Sequence, residues 1–384
     1  MTSGDGVVRR GHPIFAVHVG DYPEQLLVTG CKNGECPKCP ILRTDLGAEM
    51  DGNRPLRDLG KVLDALATLD HDGPRAYTKA CSEAGIKPLY HPFWEALPYT
   101  NIYHAITPDL LHQLYQGVVK HLVSWIREAY STEELDARCA RLPPNHSLRH
   151  FSKGISKLSR VTGSEHQDIC RILLGLVIGL PLHGGASPVR LVRATRALLD
   201  FLYLAQYPAH TNQSLTLLED ALQAFHDNKS IFVDLGIREH FKLPKLHFFD
   251  HYRRCIELYG TTDNYDTQFS ERLHIDFTKN AYRATNRKDE LAQMTVWLER
   301  KEKIDRHAAY IAWHHRQPET APGYSSSLLV SQPPRSQPSP APTPTASGPQ
   351  VATPTSIIRS SPSHAKARGG RPRAVVLPVA RASR

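Results

Sequence analysis

A short apolar stretch that ends in an aspartate, with three cysteines within the next 18 residues, constrains this chain more than any other feature. The runs over 14–19 and 26–30 are short and mostly apolar, a pattern that predicts two buried strands. Asp21 lies between them in a Gly-Asp-Tyr-Pro segment. A carboxylate at the end of a buried strand can hold Mg²⁺, which prefers oxygen ligands. A turn aspartate is the alternative interpretation, because Gly-Asp-x-Pro is also good turn chemistry.

The cysteines that follow are typical of a zinc site. Cys36 and Cys39 lie in a Cys-x-x-Cys turn, which points both thiolates to one side, as tetrahedral Zn²⁺ requires. Cys31 is the predicted third ligand, and a structural zinc site usually needs a fourth. The candidates to complete the site are Cys81, His91, His104 and His112. A chance group of small buried cysteines is the alternative. The chain has seven cysteines, an odd number, which fits a reducing compartment better than a disulfide framework.

The positive charge of the chain is concentrated at its C-terminal end. The net charge is +9, but residues 317–384 contain eight Lys or Arg and one acid, which leaves +2 for residues 1–316. This end also holds 13 of the 29 prolines, so it cannot bury enough apolar surface to offset its ordering entropy, and we expect it to be disordered. Arg368, Arg371 and Arg373 stand in an Arg-Gly-Gly-Arg-Pro-Arg string that resembles the AT-hook, a minor-groove DNA-binding segment. A nonspecific or localisation segment is the alternative. Positive and negative charges nearly balance over residues 1–316, so the charge of this part does not argue for DNA binding.

The middle of the chain is predicted to be helical. Thr107 and Pro108 are typical of a helix start, with the threonine as the cap and the proline at the first position. Apolar residues recur at helical spacing from there to about residue 230, which predicts further helices over 166–178, 189–207 and 214–226. Later helices are predicted near 246–259, 268–280 and 289–307. We therefore expect an α/β part, a large all-α part, and last helices that return to the sheet. No apolar run reaches the ~18–20 residues that a membrane helix needs.

Two groups of polar residues in the later helices can carry chemistry. His247 and His251 are four residues apart on one helix face, and Glu271 and His274 are three apart. A glutamate on a helix that faces a strand-end aspartate completes a carboxylate metal site. The alternative interpretation is a solvated Glu271–Arg272 pair with packing histidines.

Several strings resemble a known family. Among them are CPKCP, NIYHAITPDLLHQLYQGVVKHL, LPPNHSLRHFSKGISKLSRVTGSEHQDICRILLGL and YGTTDNYDTQFSERLHIDFTKNAYRATNRKDE. They are similar to the Plavaka transposases, transposon proteins of basidiomycete fungi that are related to the CACTA group. The resemblance spans roughly residues 1–315. It implies a DDE transposase with an RNase H-like α/β core, in which two aspartates and a glutamate hold two Mg²⁺ or Mn²⁺ ions. It also implies an all-helical insertion between the second aspartate and the glutamate.

The resemblance assigns roles to particular residues. Asp21 corresponds to the second catalytic aspartate, with Asp5 as its rival, and Glu271 corresponds to the glutamate. His247, His251 and His274 are expected in supporting positions. The first aspartate of the family lies upstream of the segment at which this chain starts. We therefore expect an N-terminally truncated, inactive fragment with an incomplete RNase H-like core.

These expectations combine into one outline. The predicted parts are a core remnant with the cysteine-rich loop over 1–60, a helical insertion over 61–240, returning helices over 241–315, and a disordered tail over 316–384. The complete protein would cleave and transfer DNA strands at transposon ends in the nucleus, with Mg²⁺ or Mn²⁺ in the active site and Zn²⁺ as a structural ion. A homo-oligomer is compatible with this outline. The alternative is a domesticated, non-enzymatic module that binds DNA or protein.

Overall fold

The computed structural model describes residues 6–11, 14–48, 54–182, 185–316 and 358–359. The chain forms two compact units, Met1–Arg272 with Thr355–Ser363, and Leu273–Pro354 with His364–Arg384. In the described part, most residues are helical, which confirms the predicted all-α part.

The helices of the first unit alternate with turns. They are α1 Tyr22–Thr29, α2 Leu59–Ala67, α3 Gly73–Glu83, α4 Ile102–Ala105, a π-helical segment Leu110–Val119, α5 Lys120–Ala129, α6 Thr132–Arg141, α7 Gly163–Val177, α8 Val189–Leu204, α9 Asn212–Asn228, α10 Ile231–Asp234, α11 Pro244–His247, a 3-10 turn Phe248–His251, α12 Tyr252–Tyr259 and α13 Thr267–His274. Two two-residue strands, β1 Ala209–His210 and β2 Ile358–Arg359, pair antiparallel. In the second unit follow a π-helical segment Ile275–Lys279, α14 Asn280–Arg283 and α15 Glu290–His314.

The predicted strand over 26–30 is wrong, because these residues belong to helix α1. The carboxylate of Asp21 accepts a hydrogen bond from the amide of Glu24, and Pro23 lies in the first turn of the helix. Gly30 ends it with a φ of 70°, a left-handed conformation that glycine adopts without steric cost. Strong signals at both ends thus outweigh the strand preference of the apolar run between them.

The run over 14–19 is extended but does not join a sheet. Its one ladder contact among the described residues is an isolated parallel bridge between His18 and Ile106. Apart from the β1–β2 pair, the described ranges contain no sheet, so an RNase H-like core is not seen in them. The predicted disordered tail over 316–384 lies outside the described residues, except for Arg316 and the backbone of β2.

The residue predicted to cap the central helix is wrong. Asp109, and not Thr107, caps the segment, because its carboxylate accepts hydrogen bonds from the amides of Leu111 and His112. The next ten residues form π-helical turns, and α5 continues them. The predicted helices over 166–178, 189–207 and 214–226 correspond to α7, α8 and α9.

Three apolar clusters hold the first unit together. The largest packs the π-helical segment and α5 against α7, α8 and α9, with fully buried Val118, Leu173 and Phe225 among its members. A second cluster lies between α2 and α3 and includes Cys31 and Tyr77. A third, small cluster surrounds Cys36 and Cys39. Among the described residues, no helix is long and apolar enough to cross a membrane.

Candidate functional site

Four buried side chains from two distant parts of the chain converge on one point. Cys36 and Cys39 come from the cysteine turn, and His247 and His251 come from α11 and the 3-10 turn after it. Their sulfur and ring nitrogen atoms all lie within 4.8 Å of one another. The structure thus contains a Cys₂His₂ cluster.

The distances within this cluster suit a tetrahedral metal ion. The Sγ atom of Cys39 is 3.1 Å from Nε2 of His247, and the Sγ atom of Cys36 is 3.4 Å from Nε2 of His251. Zinc binds sulfur at about 2.3 Å and imidazole nitrogen at about 2.0 Å, which places ligand atoms of a tetrahedral site about 3.5 Å apart. The cluster can therefore hold a metal such as zinc.

A carboxylate outside the cluster fixes one of the histidines. The Nδ1 atom of His247 lies 3.1 Å from Oδ2 of Asp250, and this carboxylate lies 3.7 Å from Nε of Arg54. A carboxylate on the far ring nitrogen selects the tautomer that presents Nε2 to a metal and raises the basicity of the ring. Burial alone would lower the pKa of His247, but its hydrogen bonds with Asp250 and Cys39 raise it to about 8.

The two thiols differ in their acidity. Burial and the neighbouring Cys39 raise the pKa of Cys36 well above its ordinary value. The hydrogen bond from Cys36, followed by those from the two histidines, lowers the pKa of Cys39. The surroundings thus favour a thiolate at Cys39, and a thiolate is the form in which cysteine binds a metal.

The cysteine turn is braced by a buried lysine. Lys38 lies between the two cysteines and is only 2 % exposed. Its Nζ atom donates to three carbonyl oxygens at the end of α4, those of Tyr103 at 3.1 Å, His104 at 2.9 Å and Ile106 at 2.7 Å. A buried ammonium group is tolerated only when its protons find acceptors. The turn is therefore held in place by protein contacts that do not involve a metal.

The structure does not place Cys31 in this cluster. Cys31 belongs to the second apolar cluster, where its backbone pairs with that of Ile86. Cys81, His91, His104 and His112 also lie outside the Cys₂His₂ group. The histidines that converge on the cysteines are His247 and His251. Their four-residue spacing, which places them on one helix face, could be recognised in the sequence. The sequence alone did not connect them with a turn that is more than 200 residues away.

A second polar site is organised by Asp109. This carboxylate is 1 % exposed and accepts from His112 Nδ1 at 2.8 Å, from the amide of Thr267 at 3.1 Å and from its hydroxyl at 2.8 Å. Burial alone would raise the pKa of Asp109, but these hydrogen bonds lower it. Because Thr267 begins α13, Asp109 joins the start of that helix to the start of the π-helical segment.

Glu271 contacts His112 at this site, and the charge of Asp21 also acts on the imidazole. The Oε1 atom of Glu271 lies 3.5 Å from Nε2 of His112. The hydrogen bond with Asp109, together with the negative charges of Asp109, Glu271 and Asp21, raises the pKa of His112. The charge of Asp21 also acts on Lys245, whose Nζ atom donates to the carbonyl oxygen of His112 at 2.8 Å. Two acids 250 positions apart in the sequence thus act electrostatically on one imidazole.

The remaining predicted residues lie elsewhere. His274 is exposed and belongs to the second unit. Asp5 and the tail residues Arg368, Arg371 and Arg373 lie outside the described residues.

The comparison with known families agrees with the sequence. No curated protein and no solved structure matches the chain. Residues 1–126 match the family model described as Plavaka transposase, a range that includes Asp21, the cysteine turn and His112. Over residues 1–126 the chain is therefore similar to the Plavaka transposase family, the family that its sequence resembles.

Proposed function

We propose that this transposase-derived chain supplies two carboxylates, Asp21 and Glu271, to a Mg²⁺ or Mn²⁺ site that cleaves and joins DNA strands. The observation that carries the proposal is that both act on the imidazole of His112: Glu271 lies 3.5 Å from its Nε2 atom, and the charge of Asp21 raises its pKa. The proposal includes the RNase H-like core that the family implies for the complete protein. DNA at transposon ends is its substrate, and the nucleus is its place of action.

The accessibility of the two carboxylates supports this assignment. The side chain of Glu271 is 53 % exposed and Asp21 is half-buried, so water can reach both. Mg²⁺ keeps several of its waters and usually takes only one or two carboxylates from a protein. The oxygens of Asp109 are occupied by hydrogen bonds from His112 and Thr267, so Asp109 is a structural residue in this proposal.

The neighbouring residues would position the site. The Nδ1–H group of His112 donates to Asp109, so Nε2 is the ring nitrogen that faces Glu271. A divalent ion held by such carboxylates supplies an activated water and stabilises the charge that develops on the phosphate. His112 keeps Glu271 in place, and Lys245 fixes the backbone beside His112.

The Cys₂His₂ cluster supports the same arrangement from outside, and we propose that it holds a structural Zn²⁺. Its cysteine turn follows Asp21 by 15 residues, and His251 precedes Glu271 by 20 residues. A metal ion that joins the turn to the 3-10 segment would therefore fix the distance between the two chain segments that carry the carboxylates.

Nicking of a supercoiled plasmid in the presence of Mn²⁺ tests the proposed function. Wild type is compared with Asp21→Asn and Glu271→Gln, and Glu83→Gln, an exposed residue on α3, is the matched control. The resemblance alone implied an inactive fragment; a working site built from the two carboxylates instead predicts nicking by wild type and the control and none by the two site variants. Equal nicking by all four proteins would contradict the catalytic assignment and favour the non-enzymatic DNA- or protein-binding role.

A further inference from the structure

A basic cleft lies next to the carboxylate site, along the π-helical segment and α5. One wall is the outer face of the π-helical segment and α5, and the other wall is the loop that leads into α7. The cleft has a volume of about 460 Å³. Its floor is apolar apart from the buried His166, its rim carries Lys120, Arg127 and Arg160, and none of its lining residues is an aspartate or glutamate.

The three strong cations of this rim lack carboxylate partners in the described part of the chain. Several other arginines of the first unit are paired, as Arg138 is with Glu134 and Arg171 with Asp168. No such ion pair involves Lys120, Arg127 or Arg160 among the described residues. The Nε atom of Arg127 is buried and has no hydrogen-bond partner there. A buried donor without an acceptor costs about 1–3 kcal/mol, so its retention points to an acceptor that comes from outside.

The three acids that directly neighbour lining residues in the sequence are engaged in other contacts. Glu128 accepts from the hydroxyl of Ser124, Glu165 pairs with Arg149 and caps α7, and Asp168 pairs with Arg171. Positive charge therefore dominates the cleft. In agreement, burial and the charge of Lys120 lower the pKa of His166.

The position of the cleft relates it to the carboxylates. His112, Gln116 and Lys120 follow one another at four-residue intervals, so they lie along one face of the π-helical segment and the start of α5. Lys120, at the edge of the cleft, therefore lies about two turns along the same face from His112. A strand whose phosphate reaches His112 would thus extend into the cleft.

We infer that this cleft binds phosphate groups. Its three cations suit the negative charge of a phosphate, and its volume is large enough for more than one phosphate group. The inference goes beyond the proposed function, because it needs neither Asp21 nor Glu271 nor a divalent ion. The phosphate can belong to a DNA backbone or to a small molecule such as pyrophosphate, and the experiment separates these sources.

The experiment measures binding by the full chain in a buffer that contains neither divalent ions nor a chelator, so that a bound structural metal is kept. One arm follows a fluorescent DNA duplex by anisotropy at several salt concentrations, and the other follows pyrophosphate by calorimetry. The cleft variant combines Lys120→Gln, Arg127→Gln and Arg160→Gln. The control variant removes the same charge from exposed residues outside the cleft, with Lys87→Gln, Arg193→Gln and Lys242→Gln.

We expect the cleft variant to bind DNA at least about tenfold more weakly than the control at physiological salt. The slope of log K against log salt should fall by about one for each lost phosphate contact. Pyrophosphate binding that is lost only in the cleft variant would identify a small-molecule phosphate site, and a loss in the DNA arm alone would identify a backbone site.

Equal binding of both ligands by the cleft and control variants would overturn the inference. Because Arg127 is half-buried, the double variant Lys120→Gln/Arg160→Gln, whose residues are exposed, repeats the test without disturbing packed atoms. Its DNA slope should fall by about two, and an unchanged slope would again overturn the inference. Plasmid nicking by the same variants is scored separately, so failure of the cleft and failure of the carboxylate site are distinguishable.

Discussion

Replacing Cys39 by serine should release the metal and destabilise the first unit. The substitution removes one of four ligand positions of a cluster that joins residues 208 positions apart. An ion present at about 1,000 times its dissociation constant stabilises the folded chain by about 4 kcal/mol. For a unit of this size, each kcal/mol corresponds to a melting shift of about 2–4 °C. We therefore expect Cys39→Ser to melt roughly 8–16 °C below wild type.

Cys31→Ser is the matched control for this prediction. Cys31 is as buried as Cys39 and was itself a predicted ligand, but it packs in the second apolar cluster. Metal analysis by plasma mass spectrometry should find about one zinc per chain in wild type and in Cys31→Ser, and much less in Cys39→Ser. A wild-type chain that takes up no zinc, or a Cys31→Ser chain that loses as much as Cys39→Ser, would refute the reasoning.

Three further predictions concern residues around the two sites. Asp250→Asn should weaken zinc retention by about 10- to 100-fold, since the carboxylate orients His247; competition with a chromophoric chelator measures this, and unchanged retention would contradict it. Lys38→Met should cost about 3 kcal/mol in urea unfolding, because it leaves three carbonyl oxygens without their donor, whereas the exposed Lys61→Met should cost under about 0.5 kcal/mol. Burial raises the pKa of Asp266 to about 7, so its carboxyl is neutral at pH 5.5 in the folded chain but ionised in the unfolded chain. Wild type should therefore lose about 2 kcal/mol of stability from this group between pH 5.5 and pH 8, a loss that Asp266→Asn avoids; equal pH profiles of the two proteins would contradict this sign.

The sequence predicted the helices that are defined by local signals. Helices α7, α8 and α9 are long and amphipathic, and α7 has a capping box in which Thr162 and Glu165 satisfy each other's backbone amides. Periodicity and capping depend on neighbours in the sequence, so both can be recognised without knowledge of the fold. Helix α1 was missed for a related reason, because the apolar run was weighed above the capping role of Asp21 and the terminating role of Gly30.

The metal cluster could be only half predicted, because it depends on long-range packing. The Cys-x-x-Cys turn is visible in the sequence, and so is the spacing of His247 and His251. Nothing local says that these two pairs meet. Sequence proximity instead favoured Cys31, which is directed to another apolar cluster by its backbone pairing with Ile86.

The carboxylate site, too, could be predicted only in part from the sequence. The family resemblance supplied Asp21 and Glu271, but the residues that bring Glu271 to His112, Asp109 and Thr267, are a helix cap and a helix start. Such residues resemble ordinary capping residues in a sequence. Their role becomes visible only when one carboxylate is seen to bind the starts of two helices that are separated by 158 residues.

Binding of Mn²⁺ to the zinc-loaded protein, measured by electron paramagnetic resonance, tests the central claim most directly. The claim is that Asp21 and Glu271 form one divalent-cation site, and this measurement needs neither DNA nor turnover. We predict that wild type and Glu83→Gln bind Mn²⁺ alike, and that Asp21→Asn and Glu271→Gln each bind it at least about tenfold more weakly because each loses an oxygen ligand. Identical Mn²⁺ isotherms for wild type and the two site variants would contradict the account.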